Sequence, residues 1–533
     1  MSDLPADGLH TLGRWTRDRA RTTPERVAVD DRGVTLRYRD LDDRAGDLAS
    51  AFRAAGYGVG DRIATITGNS SDQVVLFFAC AQAGLVLVPL SWRLAPRELA
   101  AQLQLADPAL LLVEDEFQTL ATDAQSRLTE PLPSTLLGMR GVELVVPAPR
   151  RGRDEPSSME RVHRAVRDDD ALLIVFTSGT LGPAKGVVLT HANCFWTNLS
   201  LSRITEITSR DVVLSVMPQY HVGGWNIQPL LAWWMGATVV LERTFDPGRV
   251  LHLIADRRIT TMMGVPANYL FLAQHPDFAA TDLSSLKHAV VGGAPMPAPL
   301  LRTWHARGVA LTQGYGLTEA SPNVLCLPDD EARSMVGYAG KPYPHVEVAV
   351  ADPVTEELLE GAATGELLVR GPGVFSGYFR ATEETARTLR GGWLHTGDLV
   401  RRDEHGYFAV IDRLSDIFIS GGESVAPAEV ETVLVEHPAV AEVAVIGVPH
   451  ERWGEVGVAF IVLAPGFSAE EAGILAYART QLAAFKLPAF VRFVSDIPRS
   501  MGNKVLRRQL LERWQHGLQH DPEHSRQQKG SEQ

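Results

Sequence analysis

The segment best suited to chemistry spans residues 177–191, TSGTLGPAKGVVLTH, directly after the apolar run ALLIVF. Thr177, Ser178, Gly179 and Thr180 combine hydroxyls with a glycine that lets backbone N–H groups approach an anion closely, and Lys185 adds positive charge. That combination describes a phosphate-binding loop. It is not a Walker A loop, because Lys185 stands between Ala184 and Gly186, so GxxxxGK[ST] is not met. A second cluster lies near the C-terminus, where Arg499, Lys504, Arg507, Arg508 and Arg513 are opposed only by Glu512. Lys504 in this patch reads as a functional cation, with an exposed lysine at a helix start as the alternative, whereas Asp398 after Gly397 reads alone as ordinary turn chemistry. His221, at the end of the apolar stretch VVLSVMPQ, reads alone as a satisfied core histidine. His520 and His524 have the i, i+4 spacing of a metal pair, but in a polar tail without a second cluster they read as solvated.

Placing such groups requires a rigid frame. Short apolar, β-branched runs recur at 61–67, 84–90, 111–116, 172–178, 212–218, 237–242, 260–266 and 288–295, with helical patterns such as 72–83 and 247–256 between them. Strands buried on both faces read as continuous apolar runs, so the pattern predicts a doubly wound α/β architecture. From about residue 336, short strands alternate with Gly and Pro turns, which predicts a small antiparallel sheet or barrel. After Arg413 an α+β pattern begins: a helix in AEVETVLVEH, strands in AEVAVIGVP and GVAFIVLAP, a helix over 468–484 and a last strand in FVRFVSD. The expected division is a large domain over 1–413 and a smaller one over 414–533. The most membrane-like stretch, 74–90, is interrupted by Gln82, Gly84 and Pro89, and predicts a buried helix ending near Gly84 followed by a buried strand. Residues 147–156 read as a polar loop, and about the last 18 residues as a disordered tail.

A chain of 533 residues exceeds one ordinary core and calls for two to four packing units. At 45% hydrophobic and 22% charged residues, disorder and fibrous repeats are excluded. The formal charge of −13 argues against nucleic-acid binding through a basic surface, so any anionic ligand must find a local exception. Cys80, Cys194 and Cys326 are odd in number and far apart, offering neither a disulfide framework nor a CxxC site, which suits a reducing compartment. The start MSDLPADGLH has no basic region followed by an apolar one, so the expected location is cytoplasmic, without a transmembrane segment.

Six further segments follow the phosphate loop in a fixed order: MPQYHVGG, GGAP (292–295), QGYGLTE (313–319), WLHTGD (393–398), DRLSDIFISGGESVAPAEVE (412–431) and PRSMGNKVLRR (498–508). On these the chain resembles the adenylate-forming family of acyl-CoA synthetases, with the related peptide-synthetase adenylation domains and luciferases, from about residue 10 to 513. The resemblance implies a large N-terminal domain of doubly wound sheets plus a small β-barrel, a smaller mobile α+β C-terminal domain, and the use of ATP, Mg2+ and CoA. It implies a nucleotide site of Thr177, Ser178, Gly179, Thr180, Lys185, Gly293, Ala294, Pro295, Gln313, Gly314, Tyr315, Gly316, Asp398 and Arg413. Within it Tyr315 offers a flat face to adenine, Asp398 accepts from both ribose hydroxyls and Arg413 adds a donor to the sugar. Thr318 offers a hydroxyl to phosphate and Glu319 a carboxylate to Mg2+. Lys504 corresponds to the adenylation lysine, bridging the attacking carboxylate and the α-phosphate. His221 stands at the acyl-pocket entrance, with Gly223, Gly224, Trp225, Val265, Pro266, Gly292 and Leu317 as the wall. No Asp or Lys in those stretches would pair with a charged substrate group, so an apolar acid is expected, and Trp225 is expected to shorten the cavity toward an aryl or medium-chain acid.

Two departures bear on the second half-reaction. Ser415 occupies a hinge position where the family usually has Lys or Asp, and Asn503 stands where Gly usually precedes the lysine. Lys504 keeps its distance of six from Pro498, so adenylation is expected to survive, while thioester formation depends on the domain rotation about Ser415. Leu181 removes one hydroxyl from the phosphate loop. The expected activity is therefore ATP-dependent formation of an acyl-adenylate followed by transfer to CoA. The departures keep two relatives' chemistries in view, loading of an acyl carrier protein and activation of nitrite to diazotise an aryl amine. A non-catalytic AMP-binding protein is disfavoured by retention of Lys504, Glu319 and Asp398.

Overall fold

A computed structural model describes residues 7–138, 146–150, 164–177, 184–294, 296–420, 423–499 and 504–520. Of the sequence expectations, those on Ser178, Gly179, Thr180, Leu181, Pro295, Asn503, residues 151–156 and the tail after 520 lie outside these residues.

All eight apolar runs form strands, because each carries enough β-branched and aliphatic surface to be covered on both faces. A nine-stranded sheet has, in spatial order, Lys341–Pro342, Asn323–Cys326, Leu311–Gly316, His288–Val291, Thr261–Gly264, Val212–Ser215, Thr238–Leu241, Val27–Asp31 and Val34–Arg37. A seven-stranded sheet has Gly377–Tyr378, Lys185–Thr190, Ala171–Thr177, Val86–Leu90, Arg62–Ile66, Leu110–Glu114 and Ser134–Leu137. The central pairings of both are parallel, with helices on their faces, which is the doubly wound architecture. The membrane-like stretch resolves into the buried helix Ser71–Ala83, closed by Gly84 at φ 73°, and the buried strand Val86–Leu90. Ser70 caps that helix by accepting from the Gln73 N–H. Among the described residues no helix is long and apolar enough to cross a membrane.

The turn-rich region forms a five-stranded antiparallel sheet ordered Leu358–Leu359, Glu347–Ala351, Ala363–Arg370, Leu394–Arg402 and Phe408–Arg413. Its ladder is open, with no closing pair among the described residues, so of the two expected forms it is the sheet. After residue 413, Glu423–Val425, Phe418–Ser420, Gly454–Leu463, Val440–His450 and Phe490–Phe493 make a separate sheet packed by the helices Pro427–Leu434, Glu471–Arg479 and Arg507–His520. The helix expected over 468–484 is confined to Glu471–Arg479. Residues 516–520, expected in the disordered tail, continue the helix that begins at Arg507 and buries Leu510 and Trp514, one turn apart, against the sheet. Three apolar cores draw their buried members from residues up to 408 and two from residues 418–514.

Candidate active site

The antiparallel pair Ala171–Thr177 and Lys185–Thr190 ends on the partners Thr177 and Lys185, so the phosphate-loop sequence connects two strands locked side by side. The Lys185 ammonium pairs with Glu384 and lies 5.1 Å from the centre of the Tyr378 ring. On its other side Tyr378 donates from Oη to Glu319 Oε1 at 2.8 Å. Thr318 and Glu319 follow the strand Leu311–Gly316 in a short turn, and the Glu319 carbonyl accepts from the Phe375 N–H at 2.8 Å.

Tyr315, on that same strand, donates to Asp398 Oδ2, while Arg413 Nε lies 3.2 Å from Asp398 Oδ1. Asp398 and Arg413 are cross-strand neighbours in the five-stranded sheet, which is why two residues fifteen apart meet. Burial, then the Asp398 carboxylate, pushes the Tyr315 phenol well above its ordinary range, so it remains a donor. The turn presenting Asp398 is itself held. Gly397, at φ 70°, donates its N–H to Glu366 Oε1 at 2.9 Å, His395 Nδ1 lies 3.0 Å from Glu366 Oε2, and the Asp398 N–H donates to Thr396 Oγ1 at 3.1 Å. The Gly397 carbonyl accepts from the Leu414 N–H at 2.8 Å, one residue before Ser415.

Lys504 extends into the same cleft. Its ammonium is within electrostatic reach of Arg413, Asp398, Glu319 and Asp416, and burial among protein atoms, with Arg413 next, lowers its pKa. Solvent still reaches the side chain, as it must where a substrate enters. His221, near enough to feel the Lys504 charge, sits in a turn after the strand Val212–Ser215, its backbone N–H donating to the Pro218 carbonyl at 3.0 Å. Its Nε2 is buried without a hydrogen-bond partner among the described residues. Burial, then Lys504 and Arg93, lowers the His221 pKa from 6.5 to about 4, so the imidazole is neutral at physiological pH.

The expected pocket wall divides. A Cβ on Gly293 would come within 3.5 Å of Val265 Cγ1, and one on Gly292 within 3.1 Å of the Gly314 carbonyl, so these residues adjoin. Pro266 begins the helix Pro266–Gln274 beside them, Ala294 is half-buried next to Gly293, and Leu317 and Gly316 continue toward Thr318. Gly223 and Gly224 open the short helix Gly223–Asn226. Trp225 does not follow them into a cavity. It is fully buried, stacked at 4.6 Å on Phe77, and its Nε1–H donates to the Gln219 carbonyl at 2.7 Å. The expectation that Trp225 shortens the cavity therefore fails; its large apolar ring is held by the core. Gln313 also has a scaffolding role, accepting from the Met296 N–H at 3.0 Å and donating to the Tyr338 carbonyl at 3.2 Å.

The donor set is chemically compatible with a nucleoside triphosphate: an aromatic hydroxyl joined to a carboxylate, the cations Lys185, Arg413 and Lys504, and, among the described residues, an unpartnered buried imidazole nitrogen that feels the charges of Lys504 and Arg93. Among the described residues no group of three or more His, Cys, Asp or Glu could hold a metal ion. Glu319 as a single carboxylate suits Mg2+ carried in on phosphate oxygens, since Mg2+ is commonly held by one or two carboxylates plus phosphates. A crevice of about 290 Å³ at the far edge of the nine-stranded sheet has its charges matched internally, Arg249 with Glu242 at 2.7 Å and Arg257 with Asp30 at 3.3 Å.

The model of the AMP-binding enzyme family matches residues 16–379, and that of the AMP-binding enzyme C-terminal domain matches 429–504. The chain belongs to the AMP-binding enzyme family. A feruloyl-CoA synthase from Amycolatopsis sp is 39% identical over 504 residues, covering 94% of this chain and 99% of that protein. The fatty acid–[acyl-carrier-protein] ligase ScoC of Streptomyces coeruleorubidus is 36% identical, covering 96% and 98%. Among solved structures, ATP-bound MatB from Rhodopseudomonas palustris superposes with a TM-score of 0.83 at 31% identity, covering 95% of this chain and 99% of that one. The adenylate-forming resemblance and the doubly wound fold read from the motifs thus hold, and the enzyme is an AMP-forming ligase.

Several residues that contact the candidate site residues escaped sequence reasoning. Tyr378, Glu384, Glu366, His395 and Arg93 lie in ordinary-looking segments, and each acts by meeting a residue far off in the chain. Only His395, inside WLHTGD, carried a local signal.

Proposed function

We propose that this enzyme activates an apolar aromatic or medium-chain carboxylic acid with ATP and passes the acyl group to CoA, and that Lys504, His221, Thr318 and Glu319 are its working residues. The observation that carries the reading is the delivery of Lys504 into the cleft holding Asp398, Arg413 and Glu319. Tyr315, Asp398 and Arg413 bind the nucleoside, and Lys185, Thr177 and the loop after it bind the outer phosphates. A carboxylate oxygen attacks the α-phosphorus, the bond to the β-phosphate oxygen breaks, and pyrophosphate leaves. Lys504 stabilises the charge developing on the α-phosphoryl oxygens, and buried neutral His221, in the tautomer with its proton on Nε2, donates that N–H to an anionic oxygen. Glu319 would hold a Mg2+ ion brought in on phosphate oxygens, and that ion would supply charge neutralisation for the leaving pyrophosphate. In the second step the CoA sulfur, losing its proton, attacks the acyl carbon, and AMP leaves with the electron pair of the broken C–O bond. The reaction uses no protein nucleophile.

The apolar-acid preference rests on a wall of Gly223, Gly292, Val265, Pro266 and Leu317, none of them charged. We read 1–413 and 414–533 as the two domains, with Ser415 as the pivot; the separation of the apolar cores on either side of 408–418 supports this. Three buried free thiols suit a reducing cytoplasm. A second reading has a carrier-protein thiol as the acceptor, favoured by the similarity to ScoC, which is named for that acceptor. The deciding experiment incubates the enzyme with ATP, a panel of aryl and medium-chain acids, and either CoA or a holo carrier protein, and identifies products by mass spectrometry. A CoA thioester and AMP are expected; acylated carrier protein alone would transfer the assignment to the second reading. Lys504→Ala should lose pyrophosphate release by at least about 100-fold, and an unchanged rate would overturn the mechanism.

A further inference from the structure

The phosphate end of the site poses an electrostatic problem. A cation intended for phosphate oxygens and a carboxylate intended for a divalent ion must stay close without neutralising each other. Here one side chain lies between them. The ring of Tyr378 carries the Lys185 ammonium at 5.1 Å, and its hydroxyl donates to Glu319 Oε1 at 2.8 Å. Lys185 finds its carboxylate in Glu384, which Arg387 also pairs, rather than in Glu319.

The side chain is rigidly mounted. Gly377–Tyr378 pairs antiparallel with Lys185–Thr190, placing Tyr378 opposite Val187, and the neighbouring Phe379 N–H donates to the Gly186 carbonyl at 2.8 Å. The Tyr378 N–H donates to Thr385 Oγ1 at 2.8 Å, tying it to the helix Thr382–Thr388 that bears Glu384. Phe375, packed at 4.9 Å on the Tyr378 ring, holds the Glu319 backbone.

Resting on the ATP reading above, we propose that Tyr378 is a positioning residue for the nucleotide-borne metal: its hydroxyl orients Glu319 toward the cation while its ring keeps Lys185 on the phosphates and away from Glu319. Fixing one carboxylate oxygen leaves Oε2 to face the metal and its waters. A hydrogen bond to a charged group is strong enough for its loss to cost about tenfold in metal-dependent affinity.

The test is calorimetric binding of ATP with and without Mg2+ to the wild type, Tyr378→Phe, Tyr378→Leu, Glu319→Gln and the double variant Tyr378→Phe/Glu319→Gln. Tyr378→Phe keeps the ring, so metal-free ATP should bind within about twofold of wild type, while the tightening brought by Mg2+ falls about tenfold. Tyr378→Leu should weaken metal-free ATP as well, because the cation–π contact is also gone. In the Glu319→Gln background the Phe substitution should add less than about twofold, since the two groups act through one contact. An unchanged Mg2+ effect in Tyr378→Phe, equal losses with and without Mg2+, or a full additive loss in the double variant would each overturn the proposal while leaving the ATP site standing. Failure of the wild type itself to bind ATP would remove the ATP reading and this inference with it.

Discussion

Gly223 and Gly224 are adjacent in sequence and differ in what surrounds them. A Cβ on Gly224 would sit 2.4 Å from the Pro218 carbonyl oxygen, whereas one on Gly223 would make ordinary contacts, 3.5 Å to Ile227 and 3.7 Å to Met217. Gly224→Ala must therefore move backbone and should cost about 1–3 kcal/mol of stability. Gly223→Ala should fold normally and narrow the acyl pocket, so the kcat/KM ratio for a slim acid over a ring-substituted one should rise several-fold, a methylene-sized effect. Trp225 provides the contrast. Stacked on Phe77 in the core, it should cost about 3–5 kcal/mol as Trp225→Ala, with the acid preference of the surviving folded enzyme unchanged. A preference that moved with Trp225 and not with Gly223, in paired competition assays, would place the pocket wall elsewhere.

At the scale of elements, the helix His191–Ser202 shows how a buried titratable group makes an element pH-sensitive. His191 opens that helix, and its Nδ1 accepts from the Leu12 N–H at 3.2 Å, pinning the N-terminal segment to the sheet. Complete burial lowers its pKa from 6.5 to about 4, as burial does for His221. Between pH 6.5 and 4 the unfolded chain binds a proton at each histidine that the folded chain refuses, so stability falls as pH drops through that window. Asp412, raised by burial from 3.8 to about 6, works in the opposite sense, because the folded state takes its proton first. Two histidines against one carboxylate leave a net loss on acidification. His191→Asn should be less stable at pH 7 yet shallower in its decline to pH 5, seen in urea midpoints; an undiminished slope would exclude His191 as a source. What could be read in advance follows the same logic of local against distant causes. The strands Arg62–Ile66, Val86–Leu90 and Thr261–Gly264 were legible because each announces its own burial in consecutive apolar residues. Val27–Asp31 was not, because Asp30 and Asp31 read as surface while the fold buries them and satisfies them with Arg257, Gly33 and Ser71. Lys185–Thr190 reads from sequence as part of a loop, because its glycine and lysine outweigh the VVL that pairs it to Ala171–Thr177. The helix at Arg507–His520 had its signal in Leu510 and Trp514, four apart, beneath a run of charge. The nucleotide motifs were visible for the opposite reason: unusual densities of Gly, Thr and charge in one segment. Partners such as Tyr378 and Glu366 were invisible, since a lone Tyr or Glu says nothing until the fold supplies its neighbour.

For the whole molecule, the question is whether one catalytic face suffices for two reactions. Lys504 lies within electrostatic reach of Arg413, Asp398 and Glu319, which under the proposed function is the arrangement that serves adenylation. Under the proposed function, thiol attack needs a path to the acyl carbon once Lys504 has done its work, which calls for a re-orientation of the C-terminal unit. The only covalent link available for re-orientation is the stretch around Ser415, which lies between cores that share no buried members. The exposed Ser415 side chain donates to Asp416 Oδ1 at 3.2 Å, whereas flanking Leu414 and Asp416 are tied by their N–H groups to Gly397 and Arg413. Arg507 contacts Asp416 at 3.1 Å and Glu431 at 2.6 Å, tying the helix Arg507–His520 to the helix Pro427–Leu434 just past residue 415. If residue 415 is the pivot, as proposed, a proline there would fix φ near −65° and restrict the turn. Ser415→Pro should retain ATP–pyrophosphate exchange within about threefold and lose thioester formation by about 100-fold or more, because only the second step needs the turn. If exchange and thioester formation fell together, the substitution would have damaged the adenylating orientation itself. If neither fell, residue 415 would not be the pivot, and both reactions would have to proceed from the arrangement in which Lys504 occupies the cleft.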